Sequence, residues 1–367
     1  MHVAGAVRVG GFVATRPSFE MSQERSLEWL AEAHAEAEAR SALLDDRGRR
    51  AFAAKLSRIL ARCACTPPKI LRRGHSLTDA RRAELPRGLG TEARTKLFGE
   101  LVDDYFARAY PEDDVAPDDL IHVTCTGYLS PSGAQKVVAS RGWGARTRVT
   151  HAYQMGCYAA LPAVRMAAGC LALGARRVDL VHTELCSLHV DVTTHSIEQL
   201  VVQSLFADGM IRYSLTHDGP GLELVAAAEC VLPDSAGSMS WIVGDRGMQM
   251  TLARDVPERI GRVLRTFVVE LYRRANLDLG AMKHSVFAVH PGGPKIIDGV
   301  RDTLELDEAQ IEASRTVLRK YGNMSSATLP HIWMTILADA RIPSGTLVPS
   351  LAFGPGLTVC GALFEKR

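Results

Sequence analysis

The stretch THAYQMGCYAALPAVRMAAG, Thr150 to Gly169, runs from polar residues through a glycine and a single cysteine into small apolar residues. Free cysteines mostly pack as small hydrophobes, and that is the simplest reading of Cys157 taken alone. The same letters also fit a nucleophile at the first turn of a buried helix, where unpaired backbone N–H groups and the helix dipole favour a thiolate. Gly156 lets the chain turn tightly before the cysteine, and the alanines behind it let a helix lie deep against its neighbours. A related stretch recurs downstream. GCYAALP (Gly156 to Pro162) and MSSATLP (Met324 to Pro330) superpose with one constant offset, which pairs Cys157 with Ser325, Ala159 with Ala327, and the two Leu-Pro pairs. Each copy reads as a loop, a helix start and a proline about a turn inside it. The recurrence predicts two related halves whose helix starts face one site.

The chain has 367 residues, enough for two domains or one large duplicated one. With 47% apolar and 23% charged residues it has an ordinary globular composition. A net charge of +2 gives no argument for nucleic acid or a charged membrane surface as partner. The stretch MHVAGAVRVGGFVATRP lacks the basic and continuous apolar regions of a signal peptide. No apolar run reaches the roughly 18 residues of a membrane span. Cysteines at 63, 65, 125, 157, 170, 186, 230 and 360 form no CxxC pair and no disulfide framework. The expectation is reduced thiols, no bound metal and a cytoplasmic enzyme.

Short Val/Ile-rich runs alternate with longer Ala/Leu/Arg helical patterns, which argues for an α/β sheet covered on both faces. AVRVGGFVA opens as a strand, and Ser22 to Arg62 reads as helical with Ser26 as a candidate N-cap. DLIHVTCTG (Asp119 to Gly127) and VDLVHTELCSLHVD (Val178 to Asp191) read as buried strands, and Cys157 to Leu173 as a helix. After Gly219 the pattern gives ELVAAAECVLP, a helix around Glu258 to Ala275, the strand HSVFAVHP, and helices over Asp307 to Lys320 and Ser325 to Ala340. The halves divide as residues 1–218, carrying the cysteine, and 219–367.

A nucleophilic cysteine needs partners, and two loops supply them. HPGGPKIID places His290 at the end of an apolar strand, before a Pro-Gly-Gly turn. YGNMSSA places Asn323 just ahead of a helix start. Alone, the histidine could be a core residue and the asparagine a turn residue. Together the three suit thioester chemistry: Cys157 takes an acyl group, and His290 and Asn323 hydrogen-bond the carbonyl oxygen of a second substrate as its enolate forms. The Cys157 N–H then holds the tetrahedral oxyanion. Papain-like proteases share the order Cys, His, Asn, but their local surround of the cysteine is missing here.

YQMGCYAA, SLFADG, HPGGPKIID, YGNMSSA and FGPGLTV together resemble the chalcone synthase-like (type III polyketide synthase) family of the thiolase fold, over about the last two-thirds of the chain. The resemblance implies a duplicated αβαβα five-layered α/β fold, usually a homodimer. It matches Cys157 to the acylated cysteine, His290 and Asn323 to its partners in decarboxylation and condensation, Phe206 to a gatekeeping phenylalanine, and Pro355 and Gly356 to a cavity-shaping loop. Thr126, Tyr158 and Ser325 complete the expected substrate-binding set. Three departures stand out. Met250 replaces a second gatekeeping phenylalanine, His189 a small pocket residue, and Ala159-Ala160 a Gly-Gly pair.

The segment where plant relatives grip coenzyme A offers only Arg62, Lys69, Arg72 and Arg73, without a clean alignment. Donors held as phosphopantetheine thioesters on an acyl carrier protein are therefore expected in preference to free coenzyme A. Arg81, Arg82, Arg87 and Arg94 would face the acidic carrier or else form a solvated helix face. No other cofactor is called for. The expectation is a bacterial secondary-metabolic ketosynthase that joins two carrier-bound β-ketoacyl chains and closes an α-pyrone. The alternatives are an iterative malonyl-CoA-using synthase of alkylpyrones or resorcinols, and a non-catalytic acyl-binding partner.

Overall fold

The computed structural model describes residues 5–367. Its strands are β1 (Arg8–Thr15), β2 (Phe19–Ser22), β3 (Arg72–His75), β4 (Asp119–Thr124), β5 (Arg148–Tyr153), β6 (Arg177–Glu184), β7 (Gly209–Thr216), β8 (Leu222–Val231), β9 (Met239–Gly244), β10 (Gly247–Leu252), β11 (Ala288–Val289), β12 (Leu347–Gly354) and β13 (Thr358–Lys366). Nine of them form one mixed sheet in the order β11-β12-β13-β8-β1-β7-β6-β4-β5. Counted by chain order within each half, the strands up to β7 lie third, second, fourth, fifth, first from the outer edge inward. The strands from β8 onward repeat that order without the outermost strand. The directions repeat as well. β4–β6 and β11–β12 are parallel, whereas β6–β7, β7–β1, β12–β13 and β13–β8 are antiparallel. The halves join antiparallel through Arg8↔Glu223 and Val9↔Leu222.

Alternation of side chains along the central strands builds the layers. In β4, Ile121 and Val123 face one core while Leu120 faces another. In β13, Cys360, Ala362 and Phe364 join that first core, and Val359 and Leu363 join a third. The shared core holds two helices, α6 (Ala160–Ala172) and α11 (Thr328–Ala338). Helix α6 packs on β4, β6, β7 and also β13, and α11 on β1, β7 and β11. On the outer faces lie α4 (Thr91–Ala109) with α5 (Gly133–Ser140), and α8 (Val256–Arg274) with α9 (Pro294–Leu304). This is the expected thiolase-type αβαβα layering. Both central helices are accommodated because Ala160, Ala163 and Ala167 are fully buried and small, while Trp333 of α11 fills the remaining space and donates its indole N–H to Ser350 at 2.9 Å.

Several local expectations change. The long helical stretch is two helices, α1 (Gln23–Ser41) and α2 (Asp46–Cys63). Ser22, not Ser26, caps the first by accepting from the Arg25 N–H, and Asp45 caps the second through the Gly48 N–H. Ser26 lies buried inside α1. The strand read through Asp191 stops at Glu184 and gives way to a 3-10 turn over Cys186–His189. HSVFAVHP pairs only at Ala288–Val289. The helix read from Cys157 starts at Ala160, which leaves the cysteine in the preceding turn. Among the described residues no helix is long and apolar enough to cross a membrane, and no cluster of three or more His, Cys, Asp or Glu could hold a metal ion.

Candidate active site

The offset that aligned the two sequence repeats is 168 residues. It carries the first residue of α6, Ala160, onto the first residue of α11, Thr328. The turns ahead of both helices meet, with Cys157 Sγ 3.9 Å from Ser325 Oγ. Gly156 adopts φ +84°, and a Cβ there would sit 2.5 Å from Pro355 Cδ, so the turn before the cysteine admits only glycine. Among the described residues the Cys157 N–H donates to no other residue, which leaves it available to an oxyanion.

His290 follows β11, with its backbone N–H donated to the Leu351 carbonyl at 2.8 Å. Both its ring nitrogens are buried without a partner, and burial pushes its pKa down to about 3. A neutral imidazole with two free nitrogens is rare in a protein interior and suits a proton-handling group. Asn323 is fixed by its backbone, which donates to Leu205 O at 3.0 Å and accepts from Ala207 N at 2.8 Å, on either side of Phe206. Its Oδ1 accepts from the Ser325 N–H at 2.9 Å. The amide N–H₂ is left as a donor beside Cys157 and His290, all three of which line one cavity of about 1160 Å³.

Burial pushes the Cys157 thiol up to about 12, while its contact with Ser325 pulls the other way and the Glu184 carboxylate adds to the rise. Glu184 is fully buried and accepts from Cys125 N–H, Thr126 Oγ1 and Ser326 Oγ. Desolvation raises it to about 7. The only sequence signal of this carboxyl is an acid at the end of a hydrophobic strand.

The remaining expected residues separate by position. Phe206 and Met250 line the cavity and also the cleft beside Cys157 that Thr126, Ser325 and Pro355 share. His189 lies beyond them, not in the catalytic cavity. It donates from Nε2 to Thr126 O at 2.7 Å and accepts at Nδ1 from Met248 N–H at 3.1 Å. Tyr158 turns away from the site to pack under Gly354, where a Cβ would lie 2.2 Å from its ring. Gly356 accepts a hydrogen bond from Ser235 at 2.8 Å and shapes the loop without lining the cavity.

The arginines expected at the surface or the entrance are redistributed. Arg62 and Lys69 do reach the exposed cavity rim. Arg72 pairs with Glu20 instead. Arg73 is buried on Gln23 Oε1 and the carbonyls of Gln203 and Phe206. Arg82 and Arg94 are buried too, so they cannot face a carrier, whereas Arg81 and Arg87 are exposed. Arg94 bonds the carbonyls of Leu89, Leu188 and Val190. Two cations unnoticed in the sequence, Arg254 and Lys295, complete the rim.

Residues 223–366 match the family of chalcone and stilbene synthases, C-terminal domain. Over 256 residues the chain is 29% identical to probable polyketide synthase 1 of Dictyostelium discoideum, a match that covers 67% of this chain and 8% of that protein. The chain therefore corresponds to a small part of that relative's length. Among solved structures, the C-terminal type III polyketide synthase domain of Steely1, a type I/III hybrid from Dictyostelium, superposes with TM-score 0.81 at 24% identity, covering 98% of this chain and 99% of that one. PKS-I of the brown alga Ectocarpus siliculosus gives 0.82 at 20% identity, covering 99% of each chain. 1,3,6,8-Tetrahydroxynaphthalene synthase of Streptomyces coelicolor gives 0.81 at 22%, covering 98% of this chain and 99% of that one. Residues 223–366 are thus similar to the chalcone and stilbene synthases, and the whole chain has the fold of the type III polyketide synthases.

Proposed function

We propose that the protein is a β-ketoacyl (polyketide) synthase that builds a carbon–carbon bond from two acyl thioesters through an acyl group on Cys157. The observation that carries this is the convergence of Cys157, His290 and Asn323 on one cavity. The Cys157 sulfur attacks the first thioester carbonyl, its proton passes to His290, and the departing thiol takes that proton. A malonyl second thioester then loses carbon dioxide while His290 and the Asn323 amide hydrogen-bond its carbonyl oxygen. A β-ketoacyl second thioester instead gives an α-proton to the neutral His290, and the Asn323 amide holds the oxygen as the enolate forms. The enolate carbon attacks the acyl-cysteine carbonyl, and Cys157 leaves as a thiolate that regains its proton, from His290 in the β-ketoacyl case and from solvent in the malonyl case.

In the favoured form, a homodimer of bacterial secondary metabolism, two carrier-bound β-ketoacyl chains are joined, and an enol oxygen then attacks the remaining carrier thioester, which expels the carrier thiol and closes an α-pyrone. A volume above the common range of about 300–1,000 Å³ for small-molecule sites supports room for two chains. A second reading, iterative use of malonyl-CoA, draws support from the rim. Arg62, Lys69, Arg254 and Lys295 are exposed there, and none of the ion pairs among the described residues engages them. Four such cations suit a diphosphate better than the single phosphodiester of a carrier arm.

Intact-mass measurement after incubation with CoA, pantetheine and carrier-protein thioesters tests both. A wild-type adduct that Cys157→Ala abolishes is expected, and absence of an adduct from every donor removes the enzyme reading. Loss of the CoA reaction in Arg254→Glu/Lys295→Glu, with pantetheine donors unaffected, supports the coenzyme A form.

A further inference from the structure

A second, smaller chamber of about 70 Å³ lies behind the catalytic cavity. Cys186, Phe206, Trp241 and Met250 line it, and the same four side chains line the cleft beside Cys157. The partition between the thiol and this chamber is thus a set of side chains, with no backbone strand of the large sheet in it. One of them, Met250, stands where chalcone synthase-like proteins are expected to carry a stiff phenylalanine. An unbranched thioether side chain can swing aside at low cost.

The far wall holds Arg82, from helix α3 (Asp79–Glu84). Arg82 is 7% exposed. Its guanidinium lies 4.1 Å from the Trp29 ring centroid, and its two terminal nitrogens approach Met21 Sδ at 3.7 and 3.6 Å. Among the described residues it meets no carboxylate and no oxygen acceptor, and Asp79 on the same helix forms no ion pair with it. A buried guanidinium carries five donors and is normally paired. An aromatic face and a thioether accept none of those donors well. Arg73 on the same chamber differs in kind, since its nitrogens are engaged by Gln23, Gln203 and Phe206. Arg82 is therefore the cation of this chamber whose directional donors are left for an anion.

We propose that this chamber receives the free end of the acyl chain held on Cys157, and that Arg82 selects chains ending in a carboxylate. The substrate class is a half-thioester of a dicarboxylic acid, its carboxylate taken in a two-pronged pair by the guanidinium. The inference rests on the acyl-cysteine reading above and adds the identity of the starter to it.

The test uses pantetheine half-thioesters of adipic and suberic acid beside their methyl esters, which match them in length and lack the charge. Acylation of Cys157 is followed by intact mass in wild type, Arg82→Leu and Arg82→Lys, and melting curves check that each variant folds. Wild type is expected to prefer an acid over its ester by about ten-fold or more in second-order rate, the worth of a charge-assisted pair. Arg82→Leu should lose that preference and keep its rate with the esters, and Arg82→Lys should retain part of it. Equal rates for acid and ester in wild type, or an unchanged preference in Arg82→Leu, would overturn the proposal and point to a chamber filled by water. If no thioester acylates Cys157, the condensing reading falls by itself. Calorimetric titration of wild type and Arg82→Leu with suberic acid monoamide still decides this one, since Arg82-dependent binding supports it and its absence refutes it.

Discussion

A thiol held near 12 and an imidazole held near 3 make an inert pair at neutral pH, because burial penalises both charged forms. Under the proposed reaction, the charge separation needed for attack arises only when a thioester occupies the cavity and its developing oxyanion offsets the imidazolium. In the proposed reaction Asn323 has no part in that first step, since its donor serves the carbonyl oxygen of the second thioester. In Asn323→Ala, acylation of Cys157 should persist while decarboxylation of a malonyl thioester falls by roughly 100-fold or more, the usual effect of deleting one oxyanion donor. In His290→Ala both steps should slow. Rapid-quench mass spectrometry for the adduct and release of labelled carbon dioxide for the second step separate the two effects. Equal loss of both steps in Asn323→Ala would sink this division of labour.

At the scale of elements, α6 and α11 decide where the chemistry sits, because each must lie between sheet layers contributed by both halves. Ala163 is fully buried in that layer. Ala163→Leu should cost about 1–3 kcal/mol by overpacking and slow acylation by displacing the turn that carries Cys157. Chemical denaturation and the intact-mass assay check the two effects, and an unchanged midpoint would show that the layer has slack. These helix starts were legible in sequence because glycine and proline punctuate the chain locally, and the repeat holds at Cys157 and Ser325. The rim was not legible. Arg62, Lys69, Arg254 and Lys295 come from four separate segments, and no spacing links them. Nor could composition reveal that Arg82 and Arg94 are inside, since arginines on a helix look the same in sequence whether their face is solvated or buried. The break at Ala42–Asp45 was hidden for a similar reason, as helix-favouring residues flank it on both sides.

Over the whole molecule, acid is the weak side. His34, His122, His182, His290 and His331 are buried and His189 is half-buried, and desolvation holds His34, His122, His182, His189, His290 and His331 at about 4, 3, 3, 4, 3 and 4, against an ordinary 6.5. Each folded value is lowered, so below 6.5 the unfolded chain binds protons that the native state refuses. Stability is then lost as pH falls from 6.5 toward 4, by about 1.4 kcal/mol per pH unit for each histidine. Glu184 and Asp208, raised by burial to about 7 and about 6, act in the opposite sense and offset part of this. The melting temperature should drop steeply below about pH 6, with net proton uptake on unfolding measured by calorimetry in buffers of different ionisation enthalpy. A flat melting temperature down to pH 5 would contradict the expectation.

The position of β1 has a further consequence, for the order in which the chain takes shape during synthesis. Arg8 pairs with Thr216 on one side and Glu223 on the other. Translation at about 5–20 residues per second delivers those partners roughly ten to forty seconds after β1 itself. Until then the strand that joins the two half-sheets has two bare edges, a state that invites pairing with other chains. Ribosome-bound chains halted before Gly209 should be cleaved within β1 by a mild protease, and chains extended past Lys366 should resist. Early protection of β1 would mean that it first pairs elsewhere and must later let go.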